Sequence, residues 1–123
     1  MTSAVTPTRR RKPPQLQEKD TTRTVREYLQ LRGWRPVRIN AGPFGANGMP
    51  DYLFVHYQRR LHMWIEFKAP KGTLSDKQAA WIEHERTKGA LVLVVRDIDA
   101  FFGWYEKHFG QEGQARMFAE EIR

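Results

Sequence analysis

The chain has 123 residues, a length that suits one domain built on one core. It carries 21 Lys and Arg against 14 Asp and Glu for a net charge of +7, and 40% of its residues are hydrophobic. With no cysteine, disulfides and thiolate zinc sites are excluded and a reducing, cytoplasmic setting is expected. No apolar run approaches the roughly 18 residues of a membrane span and no apolar signal core opens the chain, so neither membrane attachment nor export is predicted. The first twenty residues hold five basic and two acidic groups and the remainder sixteen and twelve, so the chain stays basic without its tail, as a phosphate-binding surface requires.

In chain order, residues 1–14 are Thr/Pro-rich without periodicity. They read as a disordered basic arm whose Arg9, Arg10, Arg11 and Lys12 can hold a nucleic-acid backbone electrostatically. The rest, 15–123, reads as a single domain. A helix is predicted over 17–32, preceded by Pro13-Pro14, stopped by Gly33 and striped with Val25, Tyr28 and Leu29, with the stem of Arg32 beside them. Strands follow at 34–40 and 52–57, separated by a Gly/Pro-rich loop. That loop lacks Gly-Lys-Ser/Thr, which excludes a P-loop, and no nucleotide cofactor is expected. Residues 61–69 form the hairpin partner of 52–57, turning near Gln58-Arg59.

A helix over 75–88, ended by Gly89, leads to the apolar run 90–95, the pattern of a strand covered on both faces. Asp97 or Asp99 caps a further helix to about Phe109, and a short amphipathic helix is predicted over 114–122. The order α-β-β-β-α-β-α, with a helical crossover between the third and fourth strands, predicts an α/β domain: a mixed central sheet flanked by helices. The histidines His56, His62, His84 and His108 share no metal-ligand spacing and read as surface or packing residues. Trp64, Trp81 and Trp104 read as core, while Trp34 sits beside a chain break.

Chemistry concentrates on the hairpin. Side chains alternate along a strand, so Glu66 and Lys68 share a face. A turn centred between Gln58 and Arg59 sets Asp51 opposite Glu66, and one shifted toward Arg60 sets it opposite Lys68. Both registers gather the three on one face at one end. Two carboxylates and an ammonium are costly to bury unpaired, and a bound divalent cation resolves that cost. Hard oxygen ligands suit Mg²⁺ or Mn²⁺. The competing role for the three is a cross-strand salt bridge at a solvated edge.

The segments Arg38-Ile39-Asn40-Ala41-Gly42, Gly48-Met49-Pro50-Asp51, Ile65-Glu66-Phe67-Lys68 and Gly72-Thr73-Leu74-Ser75-Asp76-Lys77-Gln78 occur in this order. With Gly89-Ala90 they resemble the PD-(D/E)xK nuclease superfamily and, within it, the VRR-NUC (virus-type replication-repair nuclease) family, over about two-thirds of the chain. The resemblance implies a restriction-endonuclease-like αβββαβ core. It also implies Asp51 and Glu66 as metal ligands with the backbone carbonyl of Phe67, Lys68 as the catalytic lysine and Gln78 as a supporting residue. An acid on the first helix is expected too. At about 100° per residue Glu27 points some 200° from Val25, whereas Glu18 falls on the inward face, so Glu18 is the candidate. Its other role is interaction with the helix N-terminus. Gln78 doubles as the last residue of a Ser75-x-x-Gln78 capping box.

The expected function is therefore Mg²⁺- or Mn²⁺-dependent cleavage of DNA, structure-selective for branched or four-way (Holliday) junctions, in replication, recombination or repair. Small stand-alone relatives resemble dimeric junction-resolving enzymes of phage or bacterial origin, which implies a homodimer. A flap, nicking or restriction-like endonuclease, or a catalytically silent DNA-binding module, is the alternative. Arg38, Asn40, Lys71 and Lys77 are the candidate DNA contacts beside the basic arm, with Arg35, Arg59 and Arg60 as further phosphate contacts around the site.

Overall fold

The computed structural model describes residues 14–39 and 48–110, with side chains from residue 17 onward. Arg9, Arg10, Arg11, Lys12, Asn40 and the helix expected over 114–122 lie outside the described residues. Seven elements follow in the expected order: α1 (Pro14–Leu31), β1 (Arg35–Arg38), β2 (Tyr52–His56), β3 (Leu61–Phe67), α2 (Asp76–Thr87), β4 (Val92–Val95) and α3 (Ile98–Phe109). The strands make one mixed sheet in the order β1-β2-β3-β4, antiparallel from β1 to β3 and parallel between β3 and β4. The domain is thus the α/β fold predicted, a sheet flanked by helices. Among the described residues no helix is long and apolar enough to cross a membrane.

Helix α1 starts three residues earlier than predicted, at Pro14, because proline's missing N–H costs nothing in a first turn. Its buried stripe is Thr21, Val25 and Leu29. Tyr28 stacks on Phe102 at 4.4 Å, and the Arg32 guanidinium lies 3.5 Å from the Tyr28 ring centroid. The helix ends in a Schellman turn, with Gly33 N–H donating to the Gln30 carbonyl and Trp34 N–H to that of Leu29. Gly33 holds φ +96°, and a side chain there would run into the His56 ring.

Alternation along the strands sorts the sheet into two faces. Tyr52, Phe54, Met63, Ile65, Phe67 and Val95 pack with Val25 and Leu29 of α1 and Phe101 and Tyr105 of α3 into the main core. Trp34, the tryptophan beside the chain break, is the most deeply buried of the four. It is 2% exposed, its indole N–H donating to Tyr105 Oη at 2.8 Å, whereas Trp64, Trp81 and Trp104 are half-buried. The opposite face carries α2, where Trp81 meets Trp64 edge-on at 5.0 Å and Ile82 is buried. Strand β4 departs from expectation. Among the described residues it is an edge strand with Leu93 and Val94 half-buried, because its apolar run meets helices on both faces only in part.

The histidines behave as packing or surface groups. His56 is buried, its Nδ1 accepting from Arg59 N–H at 3.2 Å and its Nε2 lying 3.0 Å from the Arg32 carbonyl, an arrangement that suits the Nε2–H tautomer.

Candidate active site

The β2–β3 register pairs Tyr52 with Ile65 and His56 with Leu61, leaving a four-residue turn centred between Gln58 and Arg59. Continued one residue, this register sets Asp51 against Glu66, the first of the two alternatives read from the sequence. Asp51 is anchored twice. Its carbonyl accepts from Ile39 N–H at 2.9 Å, extending the β1–β2 ladder, and its Oδ2 accepts from Phe67 N–H at 3.0 Å. Glu66 lies on β3, an interior strand of the sheet, and is 3% exposed on the α2 face. Lys68 follows on the same face, with Nζ 3.6 Å from Glu66 Oε2, and its own N–H donates to the Val95 carbonyl at 3.0 Å.

Burial makes the charged form of Glu66 unfavourable, and the neighbouring Asp51 carboxylate adds repulsion. Lys68 offsets only part of this, so the Glu66 carboxyl is pushed up from 4.5 to about 7. A carboxylate pair held in this way favours a cation. Asp51 keeps Oδ1 beyond the oxygen that Phe67 N–H holds, and the Glu66 carboxylate accepts from the Asp51 backbone N–H as well as from Gln78. Among the described residues no cluster of three His, Cys, Asp or Glu forms. Two carboxylates fit a small hard cation that keeps several waters and takes substrate oxygens as its remaining ligands.

Gln78 closes the predicted capping box and also reaches Glu66. Its Oε1 accepts from Ser75 N–H at 2.9 Å while its own N–H donates to Ser75 Oγ at 3.1 Å, closing the capping box of α2. Its Nε2 then donates to Glu66 Oε2 at 3.0 Å. The two roles separate by mutation. Ser75→Ala is expected to cost about 1 kcal/mol of stability with cleavage nearly unchanged. Gln78→Ala is expected to add a loss of about 10- to 100-fold in cleavage. Urea unfolding and initial cleavage rates of the two variants, compared side by side, check the separation.

Gly48 keeps Asp51 and Gln78 in register. It sits at φ +88° against the first turn of α2, where a Cβ would collide with the Lys77 carbonyl. Gly48→Ala should therefore lower the unfolding free energy by roughly 2–4 kcal/mol, from left-handed backbone strain and overpacking together. A urea midpoint within error of wild type would show that this contact carries no such weight.

Glu18 opens on a cleft of about 470 Å³ that Asp51 also lines, while Glu27 is exposed, as the helical geometry predicted. For Phe67, the contact seen is its N–H on Asp51. Arg38 lines the cleft with Glu18, Lys71 is exposed in the segment leading into α2, and Lys77 is exposed in the first turn of that helix. Arg35, Arg59 and Arg60 are not around the site. Arg59 and Arg60 lie in the hairpin turn, and Arg35 bonds Tyr57 Oη at 2.8 Å, so all three occupy the far end of a five-residue strand about 17 Å long. Arg59 lies over the Phe109 ring, 5.3 Å from its centroid. What sequence reading missed was Lys19, Arg23 and Arg26. Their i, i+4, i+7 spacing beside Glu18 was the available signal.

Residues 43–97 match the family model of the VRR-NUC domain. No curated protein and no solved structure matches the chain. That match covers a little under half of the chain, and a domain of this kind implies a nuclease of the PD-(D/E)xK type with DNA as its substrate.

Proposed function

With a VRR-NUC nuclease domain as the premise, we propose that this protein is a Mg²⁺- or Mn²⁺-dependent endodeoxyribonuclease that prefers branched DNA, four-way junctions above all, and acts as a homodimer in the cytoplasm of a bacterial or phage-infected cell. The observation that carries the metal-dependent part is Glu66, a 3%-exposed carboxylate placed beside a second carboxylate. A protein that only bound DNA would gain nothing from holding that pair, and the fold bears its cost in stability.

Asp51 and Glu66 would hold the cation with the Phe67 carbonyl, and the Gln78 amide fixes the Glu66 carboxyl in position. When bound, the cation supplies Lewis acidity and lowers the pKa of a coordinated water. Lys68, beside Glu66, orients or deprotonates the attacking water or stabilises the charge that builds on the phosphate. Glu18, across the cleft, would orient a water. The basic side chains near the site offer phosphate contacts with no base-reading pattern, which supports recognition by shape. A twofold pair of such sites suits paired cuts across a junction.

The preference and the assembly are tested together. Competition between a labelled four-way junction and linear, flap and nicked duplexes, with sedimentation of the free protein, should give fastest cutting of the junction by a dimer. Equal rates on all substrates by a monomer would remove the junction reading and leave the nuclease.

A further inference from the structure

The cleft that Asp51 and Glu18 share is lined by four cations, Lys19, Arg23, Arg26 and Arg38, so positive charge outnumbers negative there by two. Three of the four lie on one face of α1 at i, i+4 and i+7, and the fourth comes from β1. Two guanidinium groups converge on Tyr52, the residue next to Asp51. Arg26 Nη1 donates to Tyr52 Oη at 3.0 Å, and the Arg38 guanidinium carbon is 5.9 Å from the Tyr52 ring centroid. Arg23 is turned to Asp20 at 3.2 Å. The Arg38 side chain is exposed and, among the described residues, makes that ring contact and no hydrogen bond, so its planar fork is available for a phosphate.

We propose that Arg26 and Arg38, mounted on Tyr52 and extended by Lys19, form a phosphate clamp that holds the DNA strand on the α1 side of the metal site. This rests on the nuclease reading and adds to it the path of the substrate. From Lys19 to Arg26 the helix rises about 10 Å, which covers about three base steps at 3.4 Å per step. A strand laid along this stripe crosses Asp51, Glu66 and Lys68 and leaves toward Lys71 and Lys77 at α2. The contacts are to backbone oxygens, so the clamp positions DNA without reading sequence. Tyr52 is the positioning residue, holding two like charges at the orientation a phosphodiester needs.

The test is fluorescence anisotropy of the full chain with a labelled linear duplex in EDTA, titrated from about 50 to 200 mM salt, with Lys107→Glu on α3 as a control of equal charge change. Arg38→Ala combined with Arg26→Ala should weaken binding on the order of tenfold or more and make the log K against log salt slope shallower by about 2. Lys107→Glu should leave the slope close to wild type. Arg26→Lys should restore most of the binding. Tyr52→Phe keeps every charge, so it should weaken binding with the salt slope little changed, and in cleavage with Mg²⁺ it should raise KM with kcat little changed. Equal losses in the α1-side variant and in Lys107→Glu, in folded proteins, would overturn the clamp. A wild type that binds with the clamp's slope but never cuts in any metal would instead remove the nuclease reading, so the two failures are distinguishable.

Discussion

Asp51→Asn and Lys68→Ala are each expected to lower the cleavage rate on the order of 10³-fold while leaving a folded protein. Asparagine has the shape of aspartate, and its side-chain oxygen can keep the hydrogen bond from Phe67 N–H, now 3.0 Å, so the start of β2 stays in place. What is lost is one of two anionic oxygens offered to the cation, and with it much of the transition-state charge stabilisation. Lys68→Ala removes an ammonium 3.6 Å from Glu66 Oε2 and should cost a factor of about 10²–10⁴, the usual range for a positioned acid or base. It also leaves a buried carboxylate without its cationic partner, so a modest fall in stability accompanies it, whereas Asp51→Asn relieves repulsion on Glu66. Initial rates on labelled DNA, with circular dichroism of each variant, check both effects. Full activity in either variant would remove that residue from the site.

Glu66→Gln should abolish cleavage and yet stabilise the metal-free protein at pH 8. At about 1.4 kcal/mol per pKa unit, a carboxyl raised from 4.5 to about 7 corresponds to about 3 kcal/mol. The sign follows from the direction. The folded state prefers the protonated acid, so the contribution is fully present below the unfolded value of 4.5 and is lost as pH rises through about 7. Metal-free wild type therefore loses stability across that window, while glutamine, neutral and nearly isosteric, keeps an acceptor for Gln78 and does not. The expected gain is roughly 1–3 kcal/mol at pH 8 and close to zero at pH 4.5. Mg²⁺ or Mn²⁺ should raise the melting temperature of wild type at pH 8 and leave that of the variant nearly unmoved. Denaturant titrations at the two pH values measure this, and a variant less stable than wild type at pH 8 would contradict it.

The trio at the site was legible because strand parity is a hard constraint. Any even turn near Gln58 gathers Asp51, Glu66 and Lys68 on one face, and the observed pairing of Tyr52 with Ile65 selects the register that opposes the two acids. The inward phase of Glu18 and the solvated phase of Glu27 were legible for a similar reason, since helical phase alone separates the two positions. Parity says nothing about which end of a strand a side chain serves. Arg59 and Arg60 were read as site residues although their place in the turn already set them a full strand away from Asp51. The burial of Trp34 depends on Tyr105, 71 residues on, and the pairing of Arg26 and Arg38 around Tyr52 depends on α1 lying across the end of β2. Such contacts come from packing between elements, which local periodicity does not encode. The apolar run of β4 was legible as a strand, while its position at the sheet's edge was set by topology.

The most direct test of the central claim is a cleavage assay on labelled linear, flap and four-way DNA in Mg²⁺, Mn²⁺ or EDTA. Wild type should cut with either metal and not with EDTA, and cutting should vanish in folded Asp51→Asn and Lys68→Ala. A wild type that binds these DNAs and cuts none of them in any metal would contradict the account.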